Sequence, residues 1–327
     1  MNLSVVIIAR NEESSMKRSL EALLRDLKDR DGEIVLVDSN SSDRTVSIAE
    51  SYPVRIIRLE QSRLLSPAAG RYIGTRMSKG EFVFFLDGDM ILIPGWLAKG
   101  LEEMRNPRLA GVAGRLFHVN PGDEPSLDHP DTLPLGEVTT FGGAAIYRRS
   151  ALDQCGSFNP YIKGEEEAEL GHRLRSAGYT LKRIAHPMAY HMDKVKGVPQ
   201  VDQKAKYHTG TGQILRRYPG SSFAMGLLRS KALLLVQELV VLGTPMVILL
   251  SLAMGWYSLG IGLFVLAAAA VVGRALWKGP RKVILYLRTI VLSAYYTGKG
   301  FLTGLPSPEG FEKKIRFTVT EGPTRSG

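Results

Sequence analysis

Four short apolar runs, rich in β-branched residues, constrain the fold of this chain more than any other feature. They are Leu3–Ala9, Glu33–Asp38, Val54–Ile57 and Glu81–Leu86. The first two runs are separated by apolar residues at helical spacing, between Met16 and Leu27. Buried strands that alternate with helices predict an α/β domain built on a mostly parallel sheet. Such sheets bind ligands at the carboxyl ends of their strands, so we expect the chemistry where these runs end.

Charged residues stand at or near the predicted strand ends. Asp87-Gly88-Asp89 follows the fourth run, and its two carboxylates offer the oxygen ligands that Mg²⁺ or Mn²⁺ prefers. By itself, this acidic turn is more typical of a solvated loop than of a metal site. Asp38 ends the second run in a loop whose side chains can bond a ribose or a base, and Arg71 offers a cation for a diphosphate. Together these positions predict a site for a nucleotide and a divalent metal.

The composition changes near residue 230, where long uncharged segments begin. Residues 232–254 carry a single charge, Glu238, and residues 256–273 carry none. Each segment is close to the ~20 residues that span a bilayer, so we predict two membrane helices. Basic residues flank the pair on both sides, which predicts that both ends face the cytoplasm. A very hydrophobic soluble helical domain is the alternative.

A third apolar stretch, residues 283–305, carries Arg288 and Lys299. Charges are costly inside a bilayer, so an amphipathic helix in the membrane interface is the preferred interpretation. The chain is thus expected to comprise a catalytic domain (1–222), a membrane region (223–306) and a basic tail (307–327). Its N-terminus has no basic segment followed by a long apolar stretch, so we expect the catalytic domain to lie in the cytoplasm, on the cell membrane.

The net charge indicates which classes of molecule the protein binds. Lys and Arg total 42 against 32 Asp and Glu, a formal charge of +10 that suits a nucleotide, an anionic membrane surface or a nucleic acid. The basic residues are dispersed, without the stripe that nucleic-acid recognition requires, so a membrane-associated nucleic-acid-binding protein is a remote alternative. The single cysteine, Cys155, excludes an intramolecular disulfide and a zinc site built on several thiolates.

Five ordered motifs resemble those of the family-2 inverting glycosyltransferases of the GT-A fold, over roughly residues 1–195. They are SVVIIARNEE, EIVLVDSNSSDRT, AAGRYIGTRMSKGEFVFFLDGDM, GGAAIYRRSALDQCGSFNP and EEEAELGHRLRSAGY. Several motifs in the same order are far more specific than any one of them. The resemblance implies a nucleotide-sugar donor and a divalent metal cofactor, Mn²⁺ or Mg²⁺.

The resemblance also implies roles for individual residues of the donor site. Donor contacts carry over to Asp38, Arg71 and Asp87, and the segment Ala9 to Glu12 corresponds to a loop near the nucleotide. The implied donor-site residues are Ala9, Asn11, Glu12, Asp38, Arg71, Asp87 and Gly88. Asp89 carries over as a metal ligand, together with Asp87. His191 matches a third ligand position, for which His186 competes.

The catalytic base is implied to lie among three glutamates that precede a helix. Alignment of Leu170 with the family's pattern puts Glu167 at the base position, and Glu166 is the alternate. An acidic first turn opposing a helix macrodipole is the plain structural interpretation. Further along, Gln213, Arg216 and Arg217 form a weakened version of a Gln-x-x-Arg-Trp motif. They suggest an acceptor contact or, alternatively, a basic helix on lipid phosphates.

The implied reaction is a single displacement with inversion at the anomeric carbon. A carboxylate takes the proton of an acceptor hydroxyl, and the membrane segments suggest an acceptor held at the bilayer. A lipid-linked saccharide of surface polysaccharide or glycan assembly is the favoured acceptor, and a polyprenyl phosphate is the alternative. Two spans leave little material for the channel of a processive synthase. The oligomeric state is not indicated.

Overall fold

The computed structural model describes residues 2–193, 198–232 and 283–324, with isolated positions between 234 and 273. The chain divides into two units. The first comprises Met1–Tyr161, Glu166–Val195 and Ser307–Gly327, and the second comprises Ile162–Glu165 and Lys196–Pro306. This division differs from the expected one, because residues 196–222 leave the first unit and the expected tail joins it.

The first unit contains ten strands, six α-helices and one short 3₁₀ helix (Phe311–Lys313) among its described residues. The strands are β1 (Leu3–Ala9), β2 (Gly32–Asp38), β3 (Arg55–Leu59), β4 (Phe82–Asp87), β5 (Met90–Leu92), β6 (Leu109–Val119), β7 (Gly136–Glu137), β8 (Ala144–Arg148), β9 (Thr180–Met192) and β10 (Phe317–Glu321). The helices are α1 (Glu13–Asp26), α2 (Thr45–Ala49), α3 (Pro67–Met77), α4 (Trp96–Glu103), α5 (Arg149–Cys155) and α6 (Glu166–Ser176).

The strands form one mixed sheet in the order β10-β3-β2-β1-β4-β8-β6-β9-β5, with β7 also paired to β9. Strands β3, β2, β1 and β4 run parallel, as the four apolar runs predict. The sheet is mixed rather than mostly parallel, since β8 is antiparallel to both β4 and β6, and β5 is antiparallel to β9. Beyond β4, strands β6 and β9 again pair in parallel. The side chains of β1 are all buried, which explains its continuous apolar sequence.

The C-terminal segment of the first unit contributes to its core. Strand β10 pairs antiparallel with β3 and covers that edge of the sheet. Phe311 is fully buried between the rings of Tyr72 and Tyr161, with centroid distances of 5.6 and 5.1 Å. The Tyr72 hydroxyl lies 3.2 Å from a carboxylate oxygen of Glu312. This segment is therefore part of the α/β domain rather than a basic tail.

The second unit contains three long helical segments among its described residues, α7 (Val198–Arg217), α8 (Ser222–Ser230) and α9 (Val283–Thr303). Helices α7 and α9 approach closely at glycines. A Cβ on Gly212 would lie 2.0 Å from the carbonyl oxygen of Thr297, and a Cβ on Gly300 would lie 2.0 Å from that of Thr209. These two glycines let the backbones of α7 and α9 pack in direct contact.

The structure describes only part of the segments that were predicted to lie in or on a membrane. Most residues of the expected spans, 232–254 and 256–273, lie outside the described residues. Within the described part of the chain, no helix combines the length and apolar character that crossing a bilayer requires. Residues 283–303 are helical, as expected for the third apolar stretch.

Candidate active site

The carboxyl ends of β1, β2 and β4 lie side by side. The register pairs Ala9 with Asp38 and Ile8 with Asp87. Strand order reverses between β1 and β4, and such a switch point opens a crevice for ligands. The turn after β4 rests directly on β1, because a Cβ on Gly88 would lie 2.9 Å from the Cβ of Ala9. The sheet thus brings the expected donor-site residues to one edge.

The loops that follow β1 and β2 are tied together by hydrogen bonds. The Asn11 amide donates to the Ser41 hydroxyl at 2.9 Å, and the Asn11 side-chain oxygen accepts from the Ser42 amide at 2.8 Å. The Glu12 amide donates to the Thr45 hydroxyl at 2.8 Å. Asn11 has φ 58°, in the left-handed region that asparagine tolerates. The predicted nucleotide-facing loop is therefore a fixed structure.

Asp38 is a fully buried carboxylate at the end of β2. Its Oδ2 accepts from the Ser41 amide at 3.0 Å and lies 3.8 Å from Arg58 Nε. Its Oδ1 is buried and makes no hydrogen bond. A buried acceptor without a partner is costly, so this atom suits the N–H of a ligand, as the predicted contact with a nucleotide requires.

Arg71 joins three carboxylates at the end of β4. Its guanidinium nitrogens lie 2.8 Å from Asp87 Oδ1, 2.9 Å from Glu166 Oε1 and 3.1 Å from Glu167 Oε1. The arginine side chain is 2% exposed and lies over the ring of Phe158 at 5.5 Å. Its donors are engaged with carboxylates in this structure, and the expected contact of Arg71 with a diphosphate stays a prediction. The guanidinium holds the acidic groups together.

Helix α3 carries Arg71 into this position because it packs unusually close to the sheet. Ser66 caps the helix by accepting from the Ala69 amide at 3.1 Å. A Cβ on Gly74 would lie 2.2 Å from a side-chain carbon of Val6, so a glycine is required there. The close approach places the guanidinium beneath the end of β4.

Burial dominates the electrostatics of this acidic cluster. Burial raises the pKa of Asp87 to about 7, against the opposing effect of Arg71. Burial also raises the pKa of Glu166 to about 8, with a further contribution from Glu167 and opposition from Arg71. One guanidinium thus offsets the cost of burying several acids only in part.

The two candidate bases differ in exposure. Helix α6 begins at Glu166, after Glu165 with φ 64°. The Glu166 side chain is 8% exposed and lies against Arg71, whereas that of Glu167 is 20% exposed. A general base must reach the proton it removes. The geometry therefore favours Glu167 for contact with an acceptor and gives Glu166 a supporting position.

Gly143 is a site residue that the sequence analysis missed. The Asp87 amide donates to the Gly143 carbonyl oxygen at 3.1 Å. A Cβ on Gly143 would lie 1.9 Å from Asp87 Oδ2, so only glycine leaves room for this carboxylate. The glycine pair before the apolar run 144–148 was the available signal.

Asp89 and His191 form the candidate metal position. Strand β5 pairs with β9 so that Met90 lies opposite His191, and the Met192 amide donates to the Asp89 carbonyl oxygen at 2.9 Å. Asp89 Oδ2 then lies 3.7 Å from His191 Nε2. Two donors that each bind an ion at about 2.1 Å can be up to about 4.2 Å apart, so these atoms can share one ion. Oxygen with imidazole nitrogen suits Mn²⁺.

The other residues predicted to contact a metal or an acceptor are His186, in the first unit, and Gln213, Arg216 and Arg217, in the second unit. The competing ligand His186 is exposed and stacks on Trp96 at a centroid distance of 6.3 Å. In the second unit, Gln213 is buried and bonds the Lys163 amide and the Gly304 carbonyl oxygen. Arg216 donates to carbonyl groups at the end of α9, and Arg217 is exposed. Gln213 and Arg216 thus make hydrogen bonds within the second unit, and their expected role in acceptor contact stays a prediction.

Comparison with known proteins relates the sequence to enzymes of sugar transfer. Residues 4–163 match the family model described as glycosyl transferase family 2. An uncharacterized glycosyltransferase of Haemophilus influenzae is 31% identical over 201 residues, which cover 58% of this chain and 67% of the relative. The pre-mycofactocin glycosyltransferase of Mycobacterium tuberculosis is 28% identical over 235 residues, 67% of this chain and 48% of the relative. The chain thus spans about half the length of this relative.

Solved structures with little sequence identity share the fold. S. aureus TarS 1–349 in complex with UDP-GlcNAc has a TM-score of 0.59 and 16% identity, covering 98% of this chain and 99% of that one. The mannosyltransferase PcManGT from Pyrobaculum calidifontis, in complex with GDP-Man and Mn²⁺, has a TM-score of 0.52 and 18% identity. That match covers 93% of this chain and 86% of the other.

Proposed function

We propose, since this chain belongs to glycosyltransferase family 2, that it catalyses metal-dependent, inverting transfer of a sugar from a nucleotide-sugar donor to a membrane-held acceptor. One observation carries the proposal. Asp89 and His191 present apposed donor atoms beside the carboxylates that Arg71 holds at the end of β4. This arrangement offers a place for a divalent ion next to a carboxylate able to accept a proton.

The chain's own groups have separable tasks in this reaction. Asp38, with its buried and unbonded Oδ1, accepts a hydrogen bond from an N–H of the nucleotide base. Asp89 and His191 would hold Mn²⁺ or Mg²⁺, and such an ion would supply charge to stabilise the departing nucleoside diphosphate. Glu167 takes the proton of the acceptor hydroxyl as its oxygen attacks the anomeric carbon. Arg71 keeps Glu167 and Asp87 in place throughout.

The donor and the metal are testable together. A panel of nucleotide sugars with Mn²⁺ and native membranes should identify the donor by release of its nucleoside diphosphate. Asp89→Asn should abolish turnover, with or without added Mn²⁺, without unfolding the protein. The structures of TarS and PcManGT with nucleotide sugars support a donor of this class. Full activity of Asp89→Asn in the presence of chelator would refute the metal assignment.

The identity of the catalytic base is tested by replacing each candidate glutamate with glutamine, its neutral isostere. Glu167→Gln should lower turnover by roughly a hundredfold or more while donor affinity persists, since it removes only basicity. Glu137→Gln, at an exposed position on β7, is the matched control. A large loss for Glu166→Gln alone would move the base by one residue. An inert Glu167→Gln would favour the alternative acceptor, a polyprenyl phosphate, because a phosphate nucleophile needs no strong base.

The proposal of a membrane-held acceptor rests on the apolar segments 232–254, with one charge, and 256–273, with none, each close to the ~20 residues that span a bilayer. We propose that they anchor the chain with its catalytic unit in the cytoplasm, and that the acceptor is a lipid-linked saccharide in surface polysaccharide or glycan assembly. Single cysteines introduced at Ser258 and Ser326, in a Cys155→Ser background, test the topology with an impermeant reagent. Ser258 should label in intact cells and Ser326 should not. Labelling at Ser326 would indicate a third span.

A further inference from the structure

His191 lies between two carboxylates, one at each ring nitrogen. Its Nε2 is 3.7 Å from Asp89 Oδ2, on the side of the proposed metal position. Its Nδ1 is 3.6 Å from Oδ1 of Asp193, a residue to which neither the motifs nor the proposed mechanism gives a role. The two ring nitrogens of this imidazole therefore lie near two different carboxylates.

Backbone pairing fixes the position of Asp193. Its amide donates to the Val119 carbonyl oxygen at 2.8 Å, which continues the pairing of β9 with β6 beyond Met192. Residues two apart on a strand share a face, so Asp193 lies beside His191. His118 is directly opposite His191 in the register, and its Nδ1 lies 3.3 Å from Asp193 Oδ1. The carboxylate thus lies between the imidazoles of His118 and His191, at a position set by its own backbone hydrogen bond.

We propose that Asp193 is a positioning residue for the metal site, and this inference rests on the proposed function. A neutral imidazole carries one N–H, so a carboxylate that accepts from Nδ1–H leaves the lone pair of Nε2 free for a metal. Metal-binding histidines commonly donate their second nitrogen to such a carboxylate, which fixes tautomer and ring orientation. The 3.6 Å separation is a few tenths of an ångström beyond a hydrogen bond, so the proposal requires the Asp193 carboxylate to approach His191 by that amount.

A second arrangement makes opposite predictions and serves as the test. His118, His191 and Asp193 offer ligand atoms that all lie within 4.8 Å of one another, so the three residues can also be considered as a metal site of their own. In that arrangement His191 binds through Nδ1 and His118 is indispensable. In the positioning arrangement His191 binds through Nε2 and His118 contributes little.

Affinity for Mn²⁺ alone, measured on the full-length chain by electron paramagnetic resonance of the free ion, separates these arrangements. Asp193→Asn should weaken binding about 10- to 100-fold, as for other residues that orient metal ligands. Asp193→Glu should restore part of the loss. His118→Gln should bind like the wild type, and Asp153→Asn, at an exposed acid on α5, controls for the loss of one charge. Equal losses for His118→Gln and Asp193→Asn would overturn the proposal in favour of the three-residue site.

The tautomer of His191 provides a readout that mere stability does not change. With ¹⁵N-labelled histidine, the ring resonances that disappear in His191→Gln belong to His191. They should report a proton on Nδ1 in the metal-free wild type and on Nε2 in Asp193→Asn. An unchanged tautomer with unchanged Mn²⁺ affinity overturns the proposal. If Asp89→Asn loses Mn²⁺ and Asp193→Asn does not, only this inference fails. If neither variant differs from the wild type, the proposed metal site fails as well.

Discussion

Replacing Gly143 by alanine tests whether Asp87 depends on the empty space beside it. The new Cβ would lie 1.9 Å from Oδ2 and 2.5 Å from Cγ of Asp87, whereas ordinary contact begins at 3.4 Å. The clash involves a short side chain whose other oxygen is bonded to Arg71 at 2.8 Å. The carboxylate must therefore move by about 1.5 Å or the β8 backbone must retreat, and either change disturbs the acidic cluster.

The structure allows both consequences of this substitution to be estimated. A misplacement of about 1 Å at a catalytic centre can cost roughly a hundredfold in rate, so we expect at least that loss in turnover. Overpacking costs about 1–3 kcal/mol in the free energy of unfolding. For a unit of this size, the midpoint of thermal unfolding should fall by roughly 2–4 °C for each kcal/mol. Activity should therefore suffer far more than stability.

Gly142→Ala is the matched control, since a Cβ at the adjacent glycine would meet no atom within 4 Å. Release of nucleoside diphosphate from the donor, followed with Mn²⁺ in parallel with thermal unfolding, compares the two variants. Gly142→Ala should behave like the wild type in both assays. Wild-type turnover of Gly143→Ala would show that Asp87 does not need its observed position.

Three further predictions concern other parts of the first unit. The pKa values of Asp87 and Glu166, raised by burial to about 7 and about 8, mean that the folded state binds more protons than the unfolded state. The metal-free protein should thus lose stability as pH rises from about 4 to about 8, and denaturant unfolding at several pH values should show Glu166→Gln flattening this slope. Phe311→Ala should cost about 3–5 kcal/mol in the free energy of unfolding, against little for the exposed Phe301→Ala; equal effects would contradict the burial of the C-terminal segment. Asp38→Asn should weaken the binding of nucleoside diphosphate by about 1.5–3 kcal/mol, the contribution of one charged hydrogen bond, as measured by calorimetry. Unchanged affinity would show that the nucleotide base does not contact Asp38.

Local sequence was enough to predict the parallel half of the sheet. Strands β1, β2 and β4 are mostly buried, so each appears as a short apolar run, and β2 and β4 end at Asp38 and Asp87. Strand β3 is also recognisable by its buried Ile56 and Ile57. The direction of β8 relative to β4 depends on pairing between distant residues, which no local pattern encodes. Strand β10 was overlooked because its residues are mostly exposed and it lies at a sheet edge.

In the site, too, local features were predictable and long-range contacts were not. Asp87 and Asp89 are separated only by Gly88 in the sequence, and the candidate glutamates follow from the family resemblance. The ion pair of Arg71 with Glu166, by contrast, joins residues that are 95 positions apart, so no local pattern indicates it. The contribution of Gly143 depends on a missing side chain, which only coordinates reveal.

Residues 307–321 follow the second unit in the sequence but belong to the first, which affects the order in which the chain folds during its synthesis. The ribosome completes the entire second unit before β10 exists, so the outer edge of β3 remains open during most of translation. An unpaired strand edge is a template for aggregation. The N-terminal unit therefore cannot complete its folding first, in contrast to the usual order for multidomain chains. We expect the nascent enzyme to depend on protection of that edge until its last strand has emerged.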